Sequence, residues 1–128
     1  MVNLPGLVAM FVLVIAACSS IRKKPPILTG DICTIDEGNG TFGVVKILLV
    51  ASDHIHVKMY SNKFYSRPEM IDPASLSMGD FDDDETAISV LHLPYEKLEF
   101  NALKPEVEAN EIVLPEELEA YRVWKRQQ

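Results

Sequence analysis

The sequence predicts a mainly β domain with helical additions, an α+β chain, and three observations carry that expectation. Short β-branched and apolar runs recur between Asp31 and Ile71, separated by clusters of Gly, Asn, Asp and Ser, the pattern of strands joined by tight turns. After Pro94 the period changes, and two proline-initiated stretches place acidic residues first and basic residues last, as helices do. An uncharged apolar run from Leu4 to Ala17 precedes everything else and reads as an N-terminal signal or anchor helix rather than part of the core.

Each element follows from local chemistry. Asp31 to Ile35 is short and β-prone, Glu37-Gly38-Asn39-Gly40 is a strong turn, and Thr41 to Val50 is an apolar β-branched run broken by Gly43 and Lys46; together they predict a hairpin. Ser52-Asp53-His54 turns the chain into Ile55 to Tyr60, where Ile55, Val57 and Met59 alternate with polar residues as in a half-buried strand. A further short strand is expected over Lys63 to Arg67 and Glu69 to Ile71, interrupted at Pro68. Asp72-Pro73 predicts one helical or 3₁₀ turn, with a capping carboxylate before a proline at the first helical position. Thr86 to Leu93 is β-prone, a helix is expected near Tyr95 to Leu103, and Lys104 to Asn110 reads as acidic and irregular. Pro115 opens a second helix to about Lys125, with Leu118, Tyr121 and Val123 or Trp124 as its apolar stripe. Glu116, Glu117 and Glu119 at its start and Arg122, Lys125 and Arg126 at its end suit the helix dipole.

Gly30-Asp31, then Gly43-Val44-Val45-Lys46-Ile47-Leu48, then Val57-Lys58-Met59-Tyr60, closed by the turn at Asp72, resemble an SH3-like or Tudor-like small β-barrel. The resemblance covers residues 30–76 and implies a small SH3-like barrel followed by one or two C-terminal helices. It also implies a ligand-binding face at the aromatics Phe42, Tyr60, Phe64 and Tyr65, where such a barrel presents a peptide or cation site. The alternative is that Phe42 and Phe64 fill the core.

The first residues speak to location. Ile15-Ala16-Ala17-Cys18-Ser19-Ser20 at the end of the apolar run resembles a bacterial lipoprotein signal, which implies removal of residues 1–17 and lipid attachment at Cys18. Residues 18–29, with Ser-Ser, Arg22-Lys23-Lys24 and Pro25-Pro26, then form a tether, extended around the prolines. The basic triplet adds attraction to anionic headgroups. Two features oppose cleavage: Met1-Val2-Asn3 carries no Lys or Arg, and the basic triplet follows the apolar run, the reverse of the orientation that exports the C-terminal part. An uncleaved transmembrane anchor over residues 4–21 is just long enough to span a bilayer and leaves the domain cytoplasmic. Residues 30–128 form a single globular domain, 30–76 as the barrel and 77–128 as an acidic loop, strand and helices; some 110 residues support one core.

The formal net charge is −7, and it sits in the C-terminal half: seven basic and four acidic residues from Arg22 to Pro68, against five and fifteen from Glu69 to Gln128. This balance argues against a nucleic-acid partner. With Cys18 consumed by lipid, Cys33 has no partner for an internal disulfide and reads as a small buried hydrophobe, its pKa raised by Asp31, Asp36 and Glu37.

Other candidate chemistry is sparse. Asp80 to Glu85 offers oxygen donors for Ca²⁺ but lacks the glycine and distal glutamate of an EF-hand loop, and reads as a solvated acidic loop. His54 and His56 are two apart and share a strand face, without a third ligand at a recognisable spacing. His92, between Leu91 and Leu93, reads as a packed strand residue, and Trp124 as either an interface anchor or a contact of the last helix with the barrel. No nucleophile-base set, phosphate loop or zinc-type cysteine pair is present, so the sequence leans away from an enzyme and names no cofactor and no metal ligands. Three functional classes follow: a membrane-anchored envelope binding module, periplasm-facing, for a peptide, protein or cell-wall partner; a single-span inner-membrane protein with a cytoplasmic adaptor domain; and a metal-dependent accessory protein or hydrolase.

Overall fold

The computed structural model describes residues 25–79 and 90–128. The apolar N-terminal run with Cys18, and the acidic loop from Asp80, lie outside the described residues. Five strands, β1 (Asp31–Asp36), β2 (Phe42–Val50), β3 (His54–Phe64), β4 (Leu93–Glu96) and β5 (Glu106–Asn110), form one sheet in the order β4-β3-β2-β1-β5. Every neighbouring pair is antiparallel. A 3₁₀ turn, Pro73–Ser75, follows β3. Helix α1 (Lys97–Ala102) joins β4 to β5, and a 3₁₀ turn at Pro115–Leu118 leads into helix α2 (Glu119–Arg126). Among the described residues no helix is long and apolar enough to cross a membrane.

The β1–β2 hairpin and the 3₁₀ turn form where the sequence places them. Asp72 accepts a hydrogen bond from the Ala74 N–H at 3.0 Å, a side-chain cap ahead of a proline that has no N–H to satisfy. β3 is longer than expected: it runs unbroken to Phe64, and residues 65–72 form no strand. Phe64 still has a β2 partner in Phe42, whereas Pro68 removes a donor from the segment beyond. The two edge strands come from the C-terminal half, so the sheet does not close within residues 30–76. Leu93–Glu96, expected as a helix start, pairs with His54–Val57 because Pro94 is tolerated on an edge. The helix begins only at Lys97, where Glu99 accepts a 3.0 Å bond from the Glu96 N–H. Glu106–Asn110, expected as irregular, completes the other edge against β1.

Side chains alternate between two covered faces. On one, Cys33, Ile35, Val45, Ile47, Ile55 and Val57 pack with Phe100 of α1, and Ile27, Met59, Leu93, Tyr95 and Leu103 close the layer. On the other, Ile32, Val44, Tyr60 and Ile71 pack with Phe64, Leu76, Met78 and Ala109. Burying both faces is the dominant stabilising term. Arg67 fixes the second face at one end: its guanidinium donates to Thr34 O (3.0 Å) and Thr34 Oγ1 (2.8 Å), and it lies 4.7 Å from the centre of the Phe42 ring.

The second face also carries charge. Lys46 and Lys58 are direct cross-strand partners, an arrangement that like charges destabilise, and Lys46 is fully buried. The C-terminal segment resolves the conflict. Lys46 Nζ donates to Glu117 Oε1 (3.0 Å), Ile112 O (2.8 Å) and Glu111 Oε1 (3.2 Å), one acceptor for each of its donors, while Glu117 Oε2 pairs with Lys58. Burial alone raises the Glu117 carboxyl, but the Leu114 N–H and the two ammonium groups outweigh it and hold the group below the ordinary glutamate range.

Two backbone positions stand in the left-handed region for visible reasons. Gly30 (φ +90°) lies so close to the neighbouring chain that a Cβ would sit 2.7 Å from Glu111 O. Lys104, just past the end of α1, has φ 52°, where glycine is the default and a side chain costs about 1 kcal/mol.

Lys46→Ala is expected to destabilise the domain by about 3–5 kcal/mol, because it strands the carboxylate of Glu117 beside a single lysine in a buried setting; urea unfolding followed by circular dichroism measures it. Gly30→Ala combines a forbidden φ with a backbone clash and is expected to cost on the order of 2 kcal/mol or more in the same assay.

Candidate functional site

The polar side of β3, His54, His56, Lys58 and Tyr60, is the side a half-buried strand would give to water. Here α2 covers it. Glu117 lies in the 3₁₀ turn that leads into α2, and Tyr121 and Trp124 follow inside the helix, three residues apart on one side. Glu117 engages the lysines, and the two aromatics reach the histidines. Tyr121 and Trp124 approach His56 edge-on, with centroids 4.7 and 5.0 Å away, and sit 5.7 and 5.4 Å from His92.

At the centre is a histidine pair. His56 Nδ1 and His92 Nε2 are 2.9 Å apart, and the rings are within 16° of parallel with centroids 5.1 Å apart. At that nitrogen separation so long a centroid distance means the rings lie end to end, not face to face. This is the geometry of an N–H···N hydrogen bond, one imidazole donating and the other accepting. At 2.9 Å the two nitrogens are too close together to hold a metal ion between them. His56 and His92 are 2% and 5% exposed, and burial lowers the pKa of both; for His92 the nearby His56 adds to it and the value falls to about 4. His54 also pushes His56 down, Asp53 pulls it up by less, and Lys125 adds a smaller push down. The pair is therefore neutral at neutral pH, and a second proton would set two N–H groups against each other.

Beside the pair lies an open cleft of about 510 Å³ between the β2–β3 turn and α2, lined by Asp53, His54, His56, Tyr121, Trp124 and Lys125. His54 Nδ1 is 3.1 Å from Asp53 Oδ1. The cleft offers aromatic surface, an imidazole, an ammonium and a carboxylate, which suits binding of a small polar group or a peptide end. Among the described residues that line it there is no serine, threonine or cysteine held against a base. Among the described residues no group of three or more His, Cys, Asp and Glu side chains is placed to hold a metal.

The aromatics expected to form a ligand face are distributed differently. Tyr60 is buried under Lys58, whose Nζ is 5.2 Å from its ring centre, and Phe64 packs into the second-face core. Phe42 lies under Arg67, and Tyr65 alone stands free, 89% exposed. Phe42 and Phe64 are cross-strand partners, and of the four only Tyr65 is widely exposed. His54 and His56 do share a face, their rings 6.0 Å apart. Trp124 makes the helix-to-sheet contact. Cys33 is buried in the first-face core and burial, then Asp31 and Glu108, push its thiol up to about 12, the state of an inert thiol. What the sequence did not reveal is that His92 bonds His56 across 36 residues; the one available signal was the Tyr121, Trp124 spacing opposite a strand whose polar face carries histidines.

Acid should loosen this contact. Unfolded, His92 protonates near its ordinary value of about 6.5, while in the folded protein it resists until about 4 and His56 is lowered as well, so stability is fully present above pH 6.5 and is lost as pH falls towards 4. The expected loss is on the order of 3 kcal/mol, read as the fall in melting temperature and the change in Trp124 fluorescence across that window. His92→Phe should flatten that dependence.

No family model, curated protein or solved structure matches this chain.

Proposed function

We propose that this chain is a bacterial envelope lipoprotein, a non-catalytic binding module held on a membrane through lipid on Cys18 and facing the periplasm. The observation that carries the reading is Ile15-Ala16-Ala17-Cys18-Ser19-Ser20 at the end of an uncharged apolar run, followed by a proline-containing tether. The fold assigned to the module is an SH3-like barrel. In support, β1–β3 form a meander and β5 returns to pair with β1, and register shifts in β2–β3 and β1–β5 give the bends that coil a short sheet. The cleft between Asp53 and Trp124 is its ligand site, for a peptide, protein or cell-wall partner, with Tyr65 the one free member of the second aromatic group.

One observation favours a second reading. Arg22-Lys23-Lys24 follows the apolar run, and no basic residue precedes it; under the positive-inside rule this keeps the domain cytoplasmic behind a single uncleaved span.

Intact mass and detergent partitioning of the protein from a bacterial host, wild type against Cys18→Ala, separate the two. The expected result is loss of residues 1–17 and a diacylglyceryl adduct that Cys18→Ala abolishes. An uncleaved chain of unmodified mass overturns the lipoprotein reading in favour of the adaptor.

A further inference from the structure

We infer that the surface of α1 and the turn after it, Lys97, Leu98, Asn101 and Lys104, rests on the anionic headgroups of the membrane that holds the Cys18 lipid. The inference stands on the anchoring proposed above and adds an orientation to it.

Chain length is the first argument. The described chain begins at Pro25, and Pro25, Pro26 and Ile27 border a hollow of about 370 Å³ with Asn101, Lys104 and Pro105. Ile27 is packed against the first-face core, so the tether leaves the domain beside the end of α1. Six residues separate Cys18 from Pro25, and the seven Cα–Cα steps between them span at most about 25 Å. A domain of this size is about 30 Å across, and the path around it to the far side is longer still. The face carrying α1 is the one the lipid can hold against the bilayer; the face carrying α2 is not.

The chemistry of that face is the second argument. Leu98 is 83% exposed, and on a helix it stands beside Asn101, one turn on. Lys97 and Lys104 flank it, and among the described residues neither has a carboxylate within ion-pair distance, a state they share with Lys125 and Arg126 of α2, whereas Lys46, Lys58, Lys63 and Arg67 are paired. Of the nearby carboxylates, Glu99 turns back to the Glu96 N–H and Glu106 faces Arg67 at 3.4 Å; Asp53, drawn to His54, and Glu96 border Lys97 and Leu98 on the side of the β2–β3 turn. Lys104 holds a left-handed backbone position suited to glycine, so an ammonium is kept there at a conformational cost. Arg22, Lys23 and Lys24 precede the same entry point in sequence. A lone apolar side chain among lysines is the composition of an interfacial contact with anionic lipid.

The test uses full-length lipidated protein labelled with an environment-sensitive maleimide at Leu98→Cys or at Met70→Cys. Met70 is equally exposed, at 82%, beside Ile71 of the opposite face; Cys18 is blocked by lipid and Cys33 is buried. In vesicles containing phosphatidylglycerol and nitroxide-headgroup lipid, quenching at position 98 is expected to exceed that at position 70 several-fold. Lys97→Glu with Lys104→Glu is expected to lower the docked population roughly tenfold or more and bring the two positions together. Equal quenching at both positions in a protein of lipidated mass overturns the orientation and leaves the anchor standing. A chain that lacks the lipid by mass and stays off the vesicles overturns the anchor, and the orientation with it.

Discussion

The architecture depends on one buried ammonium. Lys46 occupies a central strand, fully shielded, opposite Lys58 in the ladder. Neither a hydrophobic core nor water can receive it there, because a lone buried charge is unfavourable by several kcal/mol and a second like charge beside it adds to the penalty. The sheet is therefore incomplete without residues 111–117, whose two carboxylates and one carbonyl meet the three donors. The charged trio leaves few alternative positions for the segment. A hydrophobic patch could slide against a neighbour; a carboxylate divided between two lysines cannot.

Once Glu117 is placed, the cleft follows. Helix α2, which continues directly from the 3₁₀ turn of Glu117, carries Tyr121 and Trp124 over His56 and His92, and Lys125 reaches the rim. The site is thus a by-product of how the C-terminal segment is fastened: charge up to its 3₁₀ turn, aromatic rings against imidazoles in the helix that follows. Its two ends respond to different conditions. The lysine–carboxylate end weakens when Glu117 is protonated, and the histidine end weakens when the pair charges.

Much of this was legible in the sequence, and the parts that were not share a cause. The β1–β2 hairpin, the alternation of Ile55, Val57 and Met59, the Asp72 cap and the final helix all come from interactions within a few residues, which local patterns record. β4 and β5 were hidden because each is formed by its partner. Leu93-Pro94-Tyr95-Glu96 looks like a helix start until an edge of the sheet is available, and Glu106 to Asn110 looks irregular until β1 supplies the bonds. The candidate site was half visible. The two histidines of β3 were seen to share a face, but the polar side of the strand was taken as solvent-facing, and nothing near His92 announces a partner 36 residues away. The aromatic group of Phe42, Tyr60, Phe64 and Tyr65 was read as one surface because its members cluster in sequence; Arg67 and Lys58 cover two of them and the second core takes a third.

The two outer strands have a consequence for the company this protein can keep. β4 is four residues long and includes Pro94, which has no N–H to offer, and β5 places Glu106 and Glu108 along its length. An incoming strand would meet a missing donor at one margin of the sheet and a pair of negative charges at the other. Copies concentrated side by side would accordingly remain separate molecules rather than extend one another's sheets into fibrils, a protection built into the same residues that made those strands hard to recognise.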